Sequence, residues 1–170
     1  MSVAIRRYAN ADHAAVRDLF IRVNRELAPP DYRSAFESYI ARSLTEEIDR
    51  VAEYYSARHG AFFVVHEDKA FAGMFGLEGL GTPSAELRRM YLDKTFRGRG
   101  LARAMLDRAE GECRDAGTPV LTLSTSELQQ AALAFYRKSG YRLVREETAA
   151  AQTNKTVGGN IRRYYFEKML

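Results

Sequence analysis

Cysteine is nearly missing from the 170 residues: Cys113 is the only one. A single thiol excludes an internal disulfide framework and a cysteine-rich zinc site, and no other metal site is expected. Cys113 falls on the apolar side of a helical pattern, so it reads as a buried structural thiol. Apolar runs long enough to span a bilayer are also absent, and the opening residues lack the apolar core of a signal peptide. The expectation is a cytoplasmic protein with no membrane partner. No finger, helix-turn-helix, RNA-binding motif or internal repeat is present, so no nucleic-acid partner is expected. What remains is an ordinary globular balance, 46% hydrophobic and 28% charged residues, in a length that suits one domain over residues 1–170.

The most informative stretch runs from Glu86 to Cys113. An extended segment, Ala85 to Leu92, leads into the basic turn Arg97-Gly98-Arg99-Gly100. Leu101, Ala102, Met105, Leu106, Ala109 and Cys113 then recur at helical spacing. The opening amides of a helix have no partner within it, and the macrodipole adds partial positive charge there. Glycines let a ligand approach such a turn closely, and successive amides can form an anion-binding nest. From Arg88 to Arg108 seven basic residues (Arg88, Arg89, Lys94, Arg97, Arg99, Arg103, Arg108) stand against Asp93 and Asp107, a local net of +5 where the whole chain carries +4. With a pI near 9.3, a phosphate or pyrophosphate is the natural guest. The spacing fits neither the dinucleotide fingerprint nor the nucleoside-triphosphate loop. A purely structural strand-to-helix turn with solvated arginines accounts for the same residues equally well.

The rest of the chain reads as follows. Val3 to Tyr8 is extended. A helix follows Asp12 and stops before Pro29-Pro30. Asp31 to Ile40 holds a helical turn or two. Thr45-Glu46-Glu47 opens a further helix with Ile48, Val51, Ala52 and Tyr55 inward, ended by Gly60 near His59. Ala61–His66 is apolar almost throughout and reads as an interior strand. It forms a hairpin with Ala70–Leu77 through Glu67-Asp68-Lys69. Glu78–Pro83 is a loop, Val120–Ser124 a strand, Gln129–Ser139 a helix with Ala132, Phe135 and Tyr136 inward, and Tyr141–Val144 extended. Thr148–Asn160 is a polar connector, and Ile161–Met169 the last strand. The pattern implies a mixed α/β sheet with helices on its faces.

Two segments carry a family resemblance. Arg97-Gly98-Arg99-Gly100-Leu101-Ala102 resembles the acyl-CoA pyrophosphate motif of the GCN5-related N-acetyltransferases (GNAT), Gln/Arg-x-x-Gly-x-Gly/Ala. Gln129 through Tyr141 resembles that family's Asn-x-x-Ala-x-x-x-Tyr-x-x-x-Gly-Phe, with Gln129 for the Asn and Tyr141 for the Phe. The likeness extends from Ile5 to Met169. It implies a mostly antiparallel sheet flanked by helices, whose central strands, Glu86–Leu92 and Val120–Ser124, splay around acetyl-CoA, the acyl donor. By resemblance, the amides of Tyr91 and Leu92 hold the pantetheine arm and the thioester carbonyl lies near Met90. The amides of Arg97, Gly98, Arg99, Gly100, Leu101 and Ala102 cradle the pyrophosphate. Gln129 contacts the arm or splints the adjacent strand.

Acyl transfer to an amine requires a neutral amine, a donor at the carbonyl oxygen and a proton for the leaving thiolate. The residues alone favour a core tyrosine whose hydroxyl has a structural partner; the resemblance places Tyr136 beside the CoA sulfur and makes it the expected general acid, a phenol near pKa 10 being protonated at neutral pH. By resemblance Glu86 is the expected base, directly or through water, with a solvated strand-end charge as the plain alternative; Glu78 would assist the base or bind the amine, and Tyr164, Tyr165 and His66 are lesser candidates. Tyr32, Phe36, Tyr39 and the connector are expected to wall a small-molecule or peptide amine acceptor, unless those aromatics only close the core. The resemblance also allows a homodimer through Ile161–Phe166. A non-catalytic acyl-CoA-binding module and a basic nucleic-acid-binding protein are the alternative readings.

Overall fold

The structure, a computed structural model, describes residues 2–170. In chain order its elements are β1 (Val3–Arg7), α1 (His13–Leu27), α2 (Arg33–Glu46), α3 (Val51–Ser56), β2 (Ala61–Glu67), β3 (Ala70–Glu78), β4 (Ala85–Leu92), α4 (Leu101–Asp115), β5 (Val120–Ser126), α5 (Gln130–Lys138), β6 (Arg142–Ala149) and β7 (Ile161–Met169). The strands form one seven-stranded sheet, ordered β1-β2-β3-β4-β5-β7-β6. Every neighbouring pair is antiparallel except β4 and β5.

Each face of the sheet carries its own core. Strand β2 shows why: Phe63 and Val65 point to one side and Phe62 and Val64 to the other, all buried, as expected of a strand covered on both faces. The Phe63 side packs against Leu101, Met105, Leu106, Ala109 and Cys113 of α4 and Leu133 and Tyr136 of α5. The Phe62 side packs against Val16, Leu19 and Phe20 of α1, Tyr39 and Ile40 of α2, and Tyr54 and Tyr55 of α3. No helix among the described residues is long and apolar enough to cross a membrane.

The feature that positions the site is a loss of pairing. β4 meets β5 only at Ala85↔Leu121, Glu86↔Thr122 and Leu87↔Leu123, although β4 continues to Leu92 and β5 to Ser126. The cause lies on the other edge of β4. Its register with β3 shifts between Met74 and Gly76, so Arg89 and Met90 together oppose Phe75. Arg89 there adopts φ 54°. A bulge of this kind bends its strand and raises the local twist, which carries β4 away from β5.

Four sequence expectations need correction. Thr45 and Glu46 end α2 rather than open the next helix, and the chain breaks at Glu47 (φ −139°, ψ −60°). The reason is that the Glu47 side chain is drawn inward, fully buried against Arg88 and Arg89. In the short α3 that follows, Tyr54 is buried and Ala52 exposed. The left-handed residue after α3 is His59 (φ 51°), not Gly60. Gly60 is required instead by crowding, since a Cβ there would lie 2.2 Å from the Leu77 carbonyl oxygen. β6 runs on to Ala149, which shortens the connector to residues 150–160. β7 is paired on both edges, and the edge strands of the sheet are β1 and β6.

Candidate active site

Where β4 and β5 part, a cavity of about 120 Å³ opens, lined by Glu86 and Met90 of β4, Ser124 of β5, Tyr136 of α5 and Lys155 of the connector, among others. Along this slot the inner backbone edges of β4 beyond Leu87 and of β5 beyond Leu123 have no strand partner. Unpaired amides and carbonyls of a sheet edge are obligatory hydrogen-bonding groups, so the slot is built to accept an extended, amide-containing chain.

At the end of β4 the chain turns through Gly98 (φ 77°) and Gly100 (φ 82°) into α4. Left-handed backbone at both positions is readily available only to glycine. A Cβ at either would meet nothing within 4 Å, so the turn looks onto open space. The first bond of the helix is Ala104 N–H to the Gly100 carbonyl. The six amides from Gly98 to Arg103 have no acceptor among the described residues. Consecutive free amides at a helix N-terminus, with room in front of them, suit a diphosphate.

The seven-residue basic cluster is not what surrounds this turn. Arg88 and Arg89 are turned the other way into Glu47. Arg99 pairs with Glu67 at 2.7 Å, Arg103 with Asp107 at 2.6 Å, Arg108 with Glu112 at 2.9 Å and Lys94 with Glu26 at 3.6 Å. Only Arg97 has no carboxylate partner among the described residues; its Nε donates to the Leu92 carbonyl at 3.3 Å. The anion-binding character of the turn therefore rests on amides more than on net side-chain charge.

Tyr136 projects from α5 into the slot, and its hydroxyl lies 3.6 Å from the Met90 sulfur across it. Burial, with a smaller contribution from Tyr91, pushes this phenol above its ordinary value, so it holds its proton throughout the neutral range. Gln129, just before α5, accepts from Thr125 Oγ1 at 2.9 Å and from the Ser126 amide at 3.3 Å. It splints the end of β5. Glu86 sits at the cavity wall with Lys155 Nζ 2.7 Å away, and the same ammonium lies 3.5 Å from Glu78.

The sequence profile of the Acetyltransferase (GNAT) family matches residues 23–141. The chain belongs to the GNAT family. Curated relatives include a probable N-acetyltransferase, family 8 member 5, of Mus musculus, 27% identical across 62% of this chain and 49% of its own length. N-acetyltransferase 8 of Homo sapiens is 25% identical across 65% of this chain and 51% of its own. The chain thus spans about half the length of these relatives. Among solved structures, the PaiA N-acetyltransferase of Thermoplasma acidophilum, in complex with coenzyme A, superposes over all of both chains with a TM-score of 0.76 at 19% identity. That likeness establishes the GNAT fold, with its mostly antiparallel sheet.

Within this GNAT fold, the slot and turn bring together Glu86, Met90, Tyr91, Gln129 and Tyr136 as cavity wall, with Leu92 and the Arg97–Ala102 turn continuing from it. Phe36 and Tyr39 also line the cavity, while Tyr32 stands apart beside Gly159. Three candidates are not brought to the site. His66 packs edge-on against Phe71. The Tyr165 hydroxyl bonds Glu147, and Tyr164 packs against the α4/α5 core.

Sequence reasoning missed a buried ionic cluster behind one wall of the cavity. Arg89 forks onto Glu47 with two 3.0 Å bonds, and Arg88 reaches the same carboxylate at 2.9 Å and Glu78 at 3.0 Å. Tyr55 donates to Glu47 at 2.7 Å and Arg88 donates to the Tyr54 hydroxyl at 2.8 Å. The connector closes the cluster: the Asn154 carbonyl accepts from both arginines, and its Nδ2 donates to Glu47 and Tyr54. The available signal was two arginines inside an apolar strand, since buried charges demand partners.

Proposed function

We propose that the protein is an acetyl-CoA-dependent N-acetyltransferase, moving an acetyl group to a primary amine of a small molecule, amino acid or peptide by direct attack. The observation that carries this reading is the single slot: unpaired β4 and β5 edges, a protonated Tyr136 across it, and six free amides at the turn beyond its end. The open space over Gly98 and Gly100 fits a diphosphate. The amides from Gly98 to Ala102 would hold that group together with the Arg97 turn, and the β4 backbone at Tyr91 and Leu92 would hold the amide-bearing arm, with the acyl end near Met90. Acetyl-CoA supplies the activated acyl group and a thiolate leaving group.

The chain's own residues supply the rest. Glu86 takes a proton from the incoming amine, directly or through water, and Lys155, 2.7 Å away, orients the carboxylate. The amine nitrogen then bonds the acyl carbon as the carbon–sulfur bond breaks, and Tyr136 gives its proton to the departing sulfur. Holding both substrates in one slot contributes much of the rate by orientation. A covalent relay has no suitable nucleophile: Cys113 lies in the core of α4, its thiol pushed up to about 11 by burial and by Glu110 and Glu112.

The test is incubation with acetyl-CoA and a broad amine panel, reading CoA thiol release and product mass. Turnover with an acetylated product of one amine class is expected. Saturable acetyl-CoA binding without turnover across the panel would favour a non-catalytic acyl-CoA-binding module, and absence of binding would overturn the reading altogether.

A further inference from the structure

Five charged side chains line the cavity: Glu86, Arg88, Arg89, Lys155 and Arg163. Glu47 and Glu78 stand directly behind them, paired to Arg88, Arg89 and Lys155. Glu86 is taken by Lys155. Arg88, Arg89 and Lys155 each have a carboxylate within ion-pair distance, and the lining cation without one is Arg163. No carboxylate oxygen lies within the 4.0 Å ion-pair distance of it among the described residues.

This is a choice made by the fold, not a lack of acids nearby. Glu147 is directly opposite Arg163 in the β6–β7 register, the position from which an opposite charge ordinarily pairs. Glu147 is instead occupied by Arg145 at 2.8 Å and by the Tyr165 hydroxyl. Arg163 turns toward β5, where its Nη2 donates to Ser124 Oγ at 2.9 Å. Both Arg163 and Ser124 are half-buried and line the cavity. The remaining guanidinium donors have no acceptor among the described residues, and a planar fork with free donors beside a hydroxyl suits a carboxylate.

We propose that the acceptor is an amine that also carries a carboxylate, and that Arg163, with Ser124, binds that carboxylate. The inference rests on the acetyltransferase reading above and narrows it. A bound carboxylate gives Arg163 the partner that the other lining cations already have, whereas a polyamine or an amine without an acid group leaves it without one. Glu86 is then left to deal with the amine end alone.

The experiment uses matched sets: phenylalanine, leucine, glutamate and lysine, each beside its α-amide and its decarboxylated amine, with acetyl-CoA as donor. Carboxylate-bearing members are expected to exceed their amides in kcat/KM by about 10- to 100-fold, the size of a charge-assisted pair. Arg163→Met is expected to collapse that ratio toward unity through KM, and Arg163→Lys to keep part of it. Equal or better turnover of the amides or decarboxylated amines overturns the proposal, as does an unchanged ratio in Arg163→Met. A loss of acetyl-CoA affinity in Arg163→Met, measured by calorimetry, would make Arg163 a donor contact and also overturn it. Silence of every carboxylate-bearing member in a protein that binds acetyl-CoA refutes the carboxylate assignment alone. A protein that does not bind acetyl-CoA refutes the reading beneath it.

Discussion

Replacing Glu47 with glutamine is the sharpest probe of the buried cluster. The Glu47 side chain is wholly buried. Burial by itself would push its carboxyl up, but Arg89 and Arg88 and the Tyr55 hydroxyl outweigh that and hold it at about 2, against an ordinary 4.5. At 1.36 kcal/mol per pKa unit this difference corresponds to ~3 kcal/mol of stability. The independent expectation for removing one partner of a buried ion pair is similar, about 3–5 kcal/mol. Glutamine keeps the volume but presents an NH2 to Arg89 and leaves two guanidinium groups facing a neutral amide. For a chain of this size the melting temperature should fall by roughly 6–12 °C at pH 7. The sign with pH follows from the depressed folded value. The contribution is complete above pH 4.5 and disappears as pH falls toward 2, so wild type and Glu47→Gln should converge in acid. Urea titrations of both proteins from pH 7 down to pH 2.5 read this directly. A difference under about 1 kcal/mol at pH 7, or parallel curves down to pH 2.5, would refute the account of the cluster.

Two further substitutions probe the slot. Tyr136→Phe keeps the ring and removes the proton donor; turnover should drop about 100-fold or more with acetyl-CoA affinity retained, and steady-state kinetics beside calorimetry would expose an unchanged turnover. Gly100→Glu puts a side chain on a backbone of φ 82° and a negative charge in front of the free amides. Saturable heat with acetyl-CoA should vanish while circular dichroism stays near wild type, and retained affinity would rule out this turn as the diphosphate site.

Much of the fold is legible in local patterns. The bounds of β4 follow from Ala85–Leu92, and the almost continuous apolar run Ala61–His66 announces an interior strand. The α4 stripe ending at Cys113 predicts its own buried face. What local patterns do not contain is the fate of Arg88 and Arg89. Strand alternation sends consecutive residues to opposite faces, and a charge count assigns both to the nearest basic turn. The bulge breaks that alternation, and both side chains reach Glu47, some forty positions upstream in sequence. Phe36, Tyr39 and the connector are named from the sequence as a wall of the site, but its polar contacts are not readable. Asn154, Lys155 and Arg163 acquire meaning only through contacts with residues 39 to 107 positions away, and no periodicity records such pairings.

The solitary sulfur of Cys113 has a practical bearing on every assay above. It is sealed beneath α4 and too basic at about 11 to ionise in ordinary buffers. A disulfide reagent added to the working protein therefore colours only with thiol set free from the donor, giving a background-free meter of product. The same reagent in denaturant should count a single equivalent per chain, so one dye serves as both a clock for turnover and a gauge of unfolding.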